Sequence, residues 1–185
     1  MKQLTYTLSA LILFISLSAC AQNKFKGNGS LVTKERSIDN FDALKVSGSF
    51  DVELTSNMNN QLSIYTDENL IEDIITEVKD GTLIIRTKKK SYFKTSNRKS
   101  IKIKVPLAAL KSAQLSGSGK IHSQETIQSN RLNTSLSGSG KIILNVATQN
   151  LSSQLSGSGK IQLKGEAQKV ATKLSGSGSI RLQEV

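Results

Sequence analysis

Leu136-Ser137-Gly138-Ser139-Gly140-Lys141-Ile142 looks in isolation like flexible linker, because alternating serine and glycine is the usual composition of one. Its surroundings argue against that. The frame Leu-Ser-Gly-Ser-Gly-x-Ile begins four times, at Leu115, Leu136, Leu155 and Leu174, with spacings of 21, 19 and 19 residues. A linker has no physical reason to recur at near-constant spacing, or to lie in phase with apolar residues on both sides. Around the second copy Leu132, Thr134, Leu136, Gly138, Gly140, Ile142 and Leu144 share one face, and Asn133, Ser135, Ser137, Ser139 and Lys141 the other. Leu151 to Leu163 and Val170 to Leu182 repeat the alternation. A strict two-residue phase over a dozen positions means β-strand with one buried and one solvated face.

A period near 19 is too short for a helix pair and fits one turn of a β-solenoid, whose coils stack by strand pairing at about 4.8 Å. Equivalent residues then form ladders. Outward, Ser137, Ser156 and Ser175 should stack above Ser116, Ser118, Ser139, Ser158 and Ser177 should form a second column, and Lys120, Lys141 and Lys160 a third that ends at Ser179. Inward, the paired glycines are expected to leave a channel without side chains, so that the opposite wall or one of its apolar residues can approach. In the fourth coil Val170, Thr172, Leu174, Ile180 and Leu182 are expected to face in. An open edge on that coil would invite pairing with another copy of the chain.

The N-terminal half lacks the glycine frame but keeps the strand texture. Leu44, Val46, Gly48, Phe50, Val52 and Leu54 alternate with Lys45, Ser47, Ser49, Asp51 and Glu53, and Val46-Ser47-Gly48-Ser49-Phe50 reads as a divergent copy of the frame, a first or capping coil. Leu62, Ile64 and Thr66 give another strand. Leu70, Ile71, Ile74, Ile75 and Val78 follow an Asp67-Glu68-Asn69 cap at 3/4 spacing and predict one short helix. Asp80-Gly81 is a turn, Leu83 and Ile85 face in, and the strand Ile101 to Val105 stops at Pro106, the only proline.

Glu35 to Leu54, Asp67-Glu68-Asn69-Leu70, Gly81-Thr82-Leu83-Ile84-Ile85 and the four Ser-Gly-Ser-Gly coils together resemble the head GIN domain family of auto-transporter adhesins. The resemblance spans residues 35–185. It implies an all-β chain, a single-stranded right-handed parallel β-helix, on a secreted or lipid-anchored envelope protein, and it supplies no catalytic or binding residues to carry over.

The first residues read as an address. Lys2 precedes an apolar run of 12 residues, Leu8 to Ala19, well short of the roughly 20 that span a bilayer as a helix. The run ends in Leu17-Ser18-Ala19-Cys20, which resembles the bacterial lipobox, and Cys20 is the only cysteine. Residues 1–19 are thus expected to be a lipoprotein signal peptide and Cys20 the lipidation site, several acyl chains there giving stable anchoring without a span. Residues 20–34 are expected to be a flexible tether and 35–185 the β-helix domain, with the Ser-Gly-Ser-Gly coils over 110–185. Ala21, in place of an Asp that resembles an inner-membrane retention signal, favours an outer-membrane lipoprotein, facing the periplasm or the cell surface.

Composition removes several kinds of chemistry. One Cys and one His, His122, leave no disulfide framework, thiolate cluster or multi-histidine metal site, and no metal or cofactor is expected. His122 follows Ile121 on the outward face, with no carboxylate expected beside it to orient it. From Gly81 onward the acids are Glu125, Glu166 and Glu184, none in the repeated frame, which argues against the clustered carboxylates of a polysaccharide-processing β-helix enzyme. Asp51 and Glu53 are the carboxylates on which that alternative would depend. Gly-Ser-Gly-Lys recurs without the GxxxxGK[ST] spacing of a phosphate loop.

Charge is the remaining signal. The net charge is +11, and residues 81–124 hold 11 basic side chains and no acid, which leaves 14 against 14 elsewhere. If the strands around 83–90 and 101–105 are sheet neighbours, Arg86, Lys88 and Lys90 lie beside Lys102 and Lys104. The intervening loop adds Tyr92, Phe93, Lys94, Arg98 and Lys99. Such a patch suits an anionic glycan, lipopolysaccharide phosphates, acidic lipids or an envelope protein, and export argues against nucleic acid. The expectation is a non-enzymatic adhesin or envelope-interaction module, with the enzyme and a periplasmic sensing or signalling module as alternatives.

Overall fold

The computed structural model describes residues 24–56, 58–88, 92–97, 99–107 and 109–184. The described residues are all-β apart from one 3₁₀ turn, Glu68–Asp73. In chain order the strands are β1 (Lys24–Lys26), β2 (Leu31–Ser37), β3 (Ala43–Ser47), β4 (Asp51–Thr55), β5 (Gln61–Asp67), β6 (Ile74–Lys79) and β7 (Thr82–Thr87). They continue as β8 (Tyr92–Lys94), β9 (Lys102–Pro106), β10 (Ser112–Gly117), β11 (Lys120–Gly138), β12 (Lys141–Gly157), β13 (Lys160–Ser175) and β14 (Ser179–Gln183). Twelve strands form one curled mixed sheet, and β1 and β8 form a separate parallel ribbon. Among the described residues no helix is long and apolar enough to cross a membrane.

The repeat half pairs as its pattern requires. Leu115, Leu136, Leu155 and Leu174 are successive parallel partners, as are Ile121, Ile142, Ile161 and Ile180. The serine column from Ser116 to Ser175 and the lysine column from Lys120 to Lys160, ending at Ser179, both form. Val46 pairs with Leu115, so the divergent copy is indeed the coil beneath the first glycine frame. Inward residues of both halves belong to one buried cluster running from Leu44 to Leu163. Within it Thr134 Oγ1 and Ser153 Oγ, stacked inward hydroxyls, satisfy each other at 2.8 Å.

The glycines mark corners where the sheet folds back, and their role is tighter than an open channel. Gly138 has φ +116°, and a Cβ there would lie 2.6 Å from the carbonyl oxygen of Gly117 beneath it. At Gly140 a Cβ would meet Gly119 O at 2.6 Å and Leu115 Cδ2 at 2.8 Å. Backbone rests directly on backbone, with the N–H of Gly140 donating to Gly117 O at 3.0 Å.

Five expectations need correcting. The sheet is mixed rather than wholly parallel, because β2 with β5, β5 with β9, and β6 with β7 are antiparallel. The short helix is only the 3₁₀ turn, and Ile74, Ile75 and Val78 lie in β6. The β-branched run Ile74-Ile75-Thr76 suits a strand, and Asp67 makes no side-chain cap bond because its carboxylate is used elsewhere. The stretch expected as a tether contains β1 and the start of β2, paired with β8 and β5. Val170 and Leu174, expected inside, are 41% and 49% exposed. Their part of β13 pairs with β12 only, while β14 covers Lys160–Lys164. Finally, β7 and β9 are not neighbours: β7 lies beside β3, β9 beside β4.

Candidate functional site

That last separation parts Arg86 and Lys88 from Lys102 and Lys104. Coil β3–β4 turns a corner at Ser47 to Phe50, so its two partners sit on different walls of the curl. Arg86, on β7, faces antiparallel β6 and reaches Glu77 Oε1 at 3.3 Å. Lys88 follows, exposed, its N–H donating to Asp73 O. Lys102 and Lys104, on β9, are register partners of Asp51 and Glu53. Lys94 and Lys99 stand at the mouth of a cavity described below, and Lys99 also lines a smaller pocket together with Lys102. Cys20, Lys90 and Arg98 lie outside the described residues.

The register also places carboxylates where none was expected. Asp51 pairs with Lys120 and Glu53 with His122 across β4 and β11, so the outward rows read Lys102–Asp51–Lys120 and Lys104–Glu53–His122. Asp51 Oδ1 lies 3.2 Å from His122 Nε2. Burial, followed by the charge of Lys120, lowers the His122 pKa below its usual value, against the opposing pull of Asp51 and Glu53. Aligning Val46–Phe50 with the Leu115 frame carries this pairing in the sequence itself, since it sets Asp51 opposite Lys120. A His–Asp pair alone is not a catalytic constellation; its sheet neighbours Glu53, Lys120 and Ile143 supply no hydroxyl or thiol nucleophile. Among the described residues no three His, Cys, Asp or Glu are grouped to hold a metal ion.

The feature that sequence reasoning missed altogether is a cavity of about 550 Å³. It lies beneath the first corner. Continuing the strand registers by one residue puts Thr87 under Gly48 and Ile101 under Phe50. In the coils above, a single serine joins those two positions; here residues 88–100 intervene, and the chain makes an excursion instead of a glycine corner. Phe50 takes the place that Gly119, Gly140 and Gly159 hold above it. Phe50 and Ile101 form the buried floor, and Phe93, Thr95 and Ser100 form the far side. Lys94 and Lys99 line it as well, and both are exposed.

Asp67 ties that far side down. It is fully buried, and its carboxylate accepts the N–H of Gly29 at 2.8 Å and of Ser96 at 3.0 Å. Any side chain at Gly27 would collide with it. Burial pushes its pKa up, but the Ser96 side chain and N–H and the Gly29 N–H outweigh this and hold it below the usual carboxylate value. Asn69 adds its Nδ2 donation to Lys26 O, and the Gly27 N–H donates to Lys94 O. The β1–β8 ribbon is therefore fastened to the end of β5 and set against the cavity.

Residues 40–185 match the family model described as "Putative auto-transporter adhesin, head GIN domain". No curated protein matches the chain. Among solved structures, one from Parabacteroides distasonis described as a putative lipid binding protein is 22% identical with a TM-score of 0.64, covering 86% of this chain and 99% of its own. A putative adhesin from Bacteroides fragilis is 16% identical with a TM-score of 0.51, covering 85% and 99%. At these identities the likenesses are of fold.

Proposed function

Because the chain belongs to the head GIN domain family, we propose that it is a non-enzymatic cell-envelope module, held at an outer membrane by a lipid on Cys20 and docked on the anionic lipid surface by the β1–β8 ribbon. The carrying observation is the ribbon's register. Lys26 and Lys94 are direct partners, both exposed, so two cations stand side by side a few residues after Cys20. The four residues from Cys20 to Lys24 span at most about 14 Å, so an anchor at Cys20 would bring the ribbon to the headgroups. Each lysine near an anionic leaflet contributes about 1 kcal/mol. This relocates the anion-binding role from Arg86, Lys102 and Lys104, which have acidic neighbours, to the ribbon.

The finer reading of the fold, a right-handed parallel β-helix growing away from the membrane, belongs to the same proposal. In-register parallel pairing at 19 residues supports it, and the serine and lysine columns would then be the surface presented to an adhesion partner. The enzymatic alternative rests on Asp51 and Glu53, which stand in one outward row beside Lys102, Lys104 and Lys120 rather than as an acid and base across a cleft.

Two measurements test the reading. Cys20→Ser should move the protein from the membrane to the soluble fraction, and unchanged fractionation would sink the anchor. The Cys20→Ser chain should still sediment with phosphatidylglycerol-containing vesicles, and not with pure phosphatidylcholine, in a salt-sensitive way. Adding Lys26→Glu and Lys94→Glu should abolish that sedimentation; retention by the triple variant would overturn the docking.

A further inference from the structure

The cavity under the first corner shares Lys94 with that docking, but its apolar lining takes no part in it and its chemistry is of a different kind. We propose that it binds one alkyl chain of a single-chain anionic amphiphile, the chain lying on Phe50 and Ile101 and the anionic head meeting Lys94 and Lys99. A cavity of about 550 Å³ falls within the 300–1,000 Å³ that small-molecule sites occupy, and such sites pair an apolar body with a few placed polar groups.

The polar atoms around this one are distributed accordingly. Thr95 Oγ1 donates to Lys99 O, so the buried hydroxyl is satisfied internally and does not oppose an apolar occupant. The two cationic groups sit at the exposed rim, where their stems can cover apolar surface while the ammonium groups stay in water. Among the described residues no carboxylate lines the cavity, so an anionic head entering between the lysines meets no repulsion from them. The space also has a structural cause. Phe50 stands where later coils have glycine, and residues 88–100 replace a corner, so the stack of coils opens at the point where Asp67 fastens its cover.

A fatty acid and a lysophospholipid share this ligand chemistry, one chain ending in one anion. The anchored reading adds that the mouth would face the membrane from which either could come, though the binding itself does not depend on anchoring.

The test uses the full chain carrying Cys20→Ser, so that no acyl chain of its own is present, and a fluorescent polyene fatty acid as probe. Saturable binding of one probe per chain is expected, displaced by octadecanoate, by lysophosphatidic acid, or by both. Displacement by the first alone assigns a free fatty acid, by the second alone a lysophospholipid, and by both any single-chain anion. Ser100→Trp, an exposed position turned into a plug, should weaken probe binding at least tenfold while leaving sedimentation with phosphatidylglycerol vesicles unchanged. Lys99→Glu should weaken octadecanoate at least tenfold and octadecanol less than twofold. Non-saturable binding, displacement by neither competitor, or a Ser100→Trp variant that binds like its parent would overturn the proposal. Loss of vesicle sedimentation with probe binding intact would instead sink the docking reading alone.

Discussion

A methyl group added at Gly140 would sit 2.6 Å from Gly119 O and 2.8 Å from Leu115 Cδ2. The leucine tip could rotate away, but the carbonyl belongs to a corner that is itself stacked on another corner. Relief would require the coils to separate, which breaks the N–H bond from Gly140 to Gly117 O. Gly140→Ala should therefore cost about 1–3 kcal/mol, the range for an overfilled packed site. Ser139→Ala, one residue away on the exposed face, should stay within about 0.5 kcal/mol. Urea-unfolding midpoints measure both, and a Gly140→Ala midpoint equal to that of Ser139→Ala would contradict the corner argument. Phe50 is the informative exception. A large side chain is accommodated at this position only because no corner lies beneath it.

The β1–β8 ribbon is the element with the least support of its own: two three-residue strands outside the main sheet. Its attachment runs through Asp67, whose charged form is favoured by hydrogen bonds that the unfolded chain lacks. With the folded pKa lowered, the folded state binds its proton less readily. The contribution is present above the ordinary aspartate pKa of about 3.9, and is lost as pH falls from there toward the folded value. Asp67→Asn should thus speed amide exchange at Gly29 and Ser96 at neutral pH, leave the strands of the repeat unaffected, and remove the ribbon's own loosening below about pH 4. Unchanged exchange at those two amides would show that the ribbon is held by something else. The 3₁₀ turn beside it shows why the helix expectation failed. Leu70 and Ile71 do bury, but the β-branched residues that follow find a strand partner in β7, and tertiary pairing overrides a local 3/4 spacing.

At the scale of the whole molecule the coils behave as interchangeable layers, each touching chiefly the next. Deleting residues 141–159 joins Gly140 to Lys160 and removes exactly one 19-residue layer, so that β13 inherits the register of β12. That variant should fold cooperatively with native-like strand content and a lower unfolding midpoint, since nearest-neighbour interfaces add. Deleting 141–158 instead shifts the register by one and turns the inward Leu and Ile after the junction outward; circular dichroism and size exclusion should show misfolding or aggregation. Equal behaviour of the two deletions would remove the layered account. The sequence by itself determined this layered half, because four near-identical frames identify one another as partners and the two-residue phase says which face is buried. It also marked β3–β4 as a divergent copy of the frame, while the Asp51–Lys120 pairing that follows from that alignment came to light only in the strand register. Only the tertiary structure decided where β7 and β9 lie, that Arg86 and Lys88 part from Lys102 and Lys104, and that a cavity opens over Phe50 and Ile101. Alternation tells a strand which of its faces is apolar but not which strand it will pair with, and that choice depends on contacts made by residues far apart in the chain.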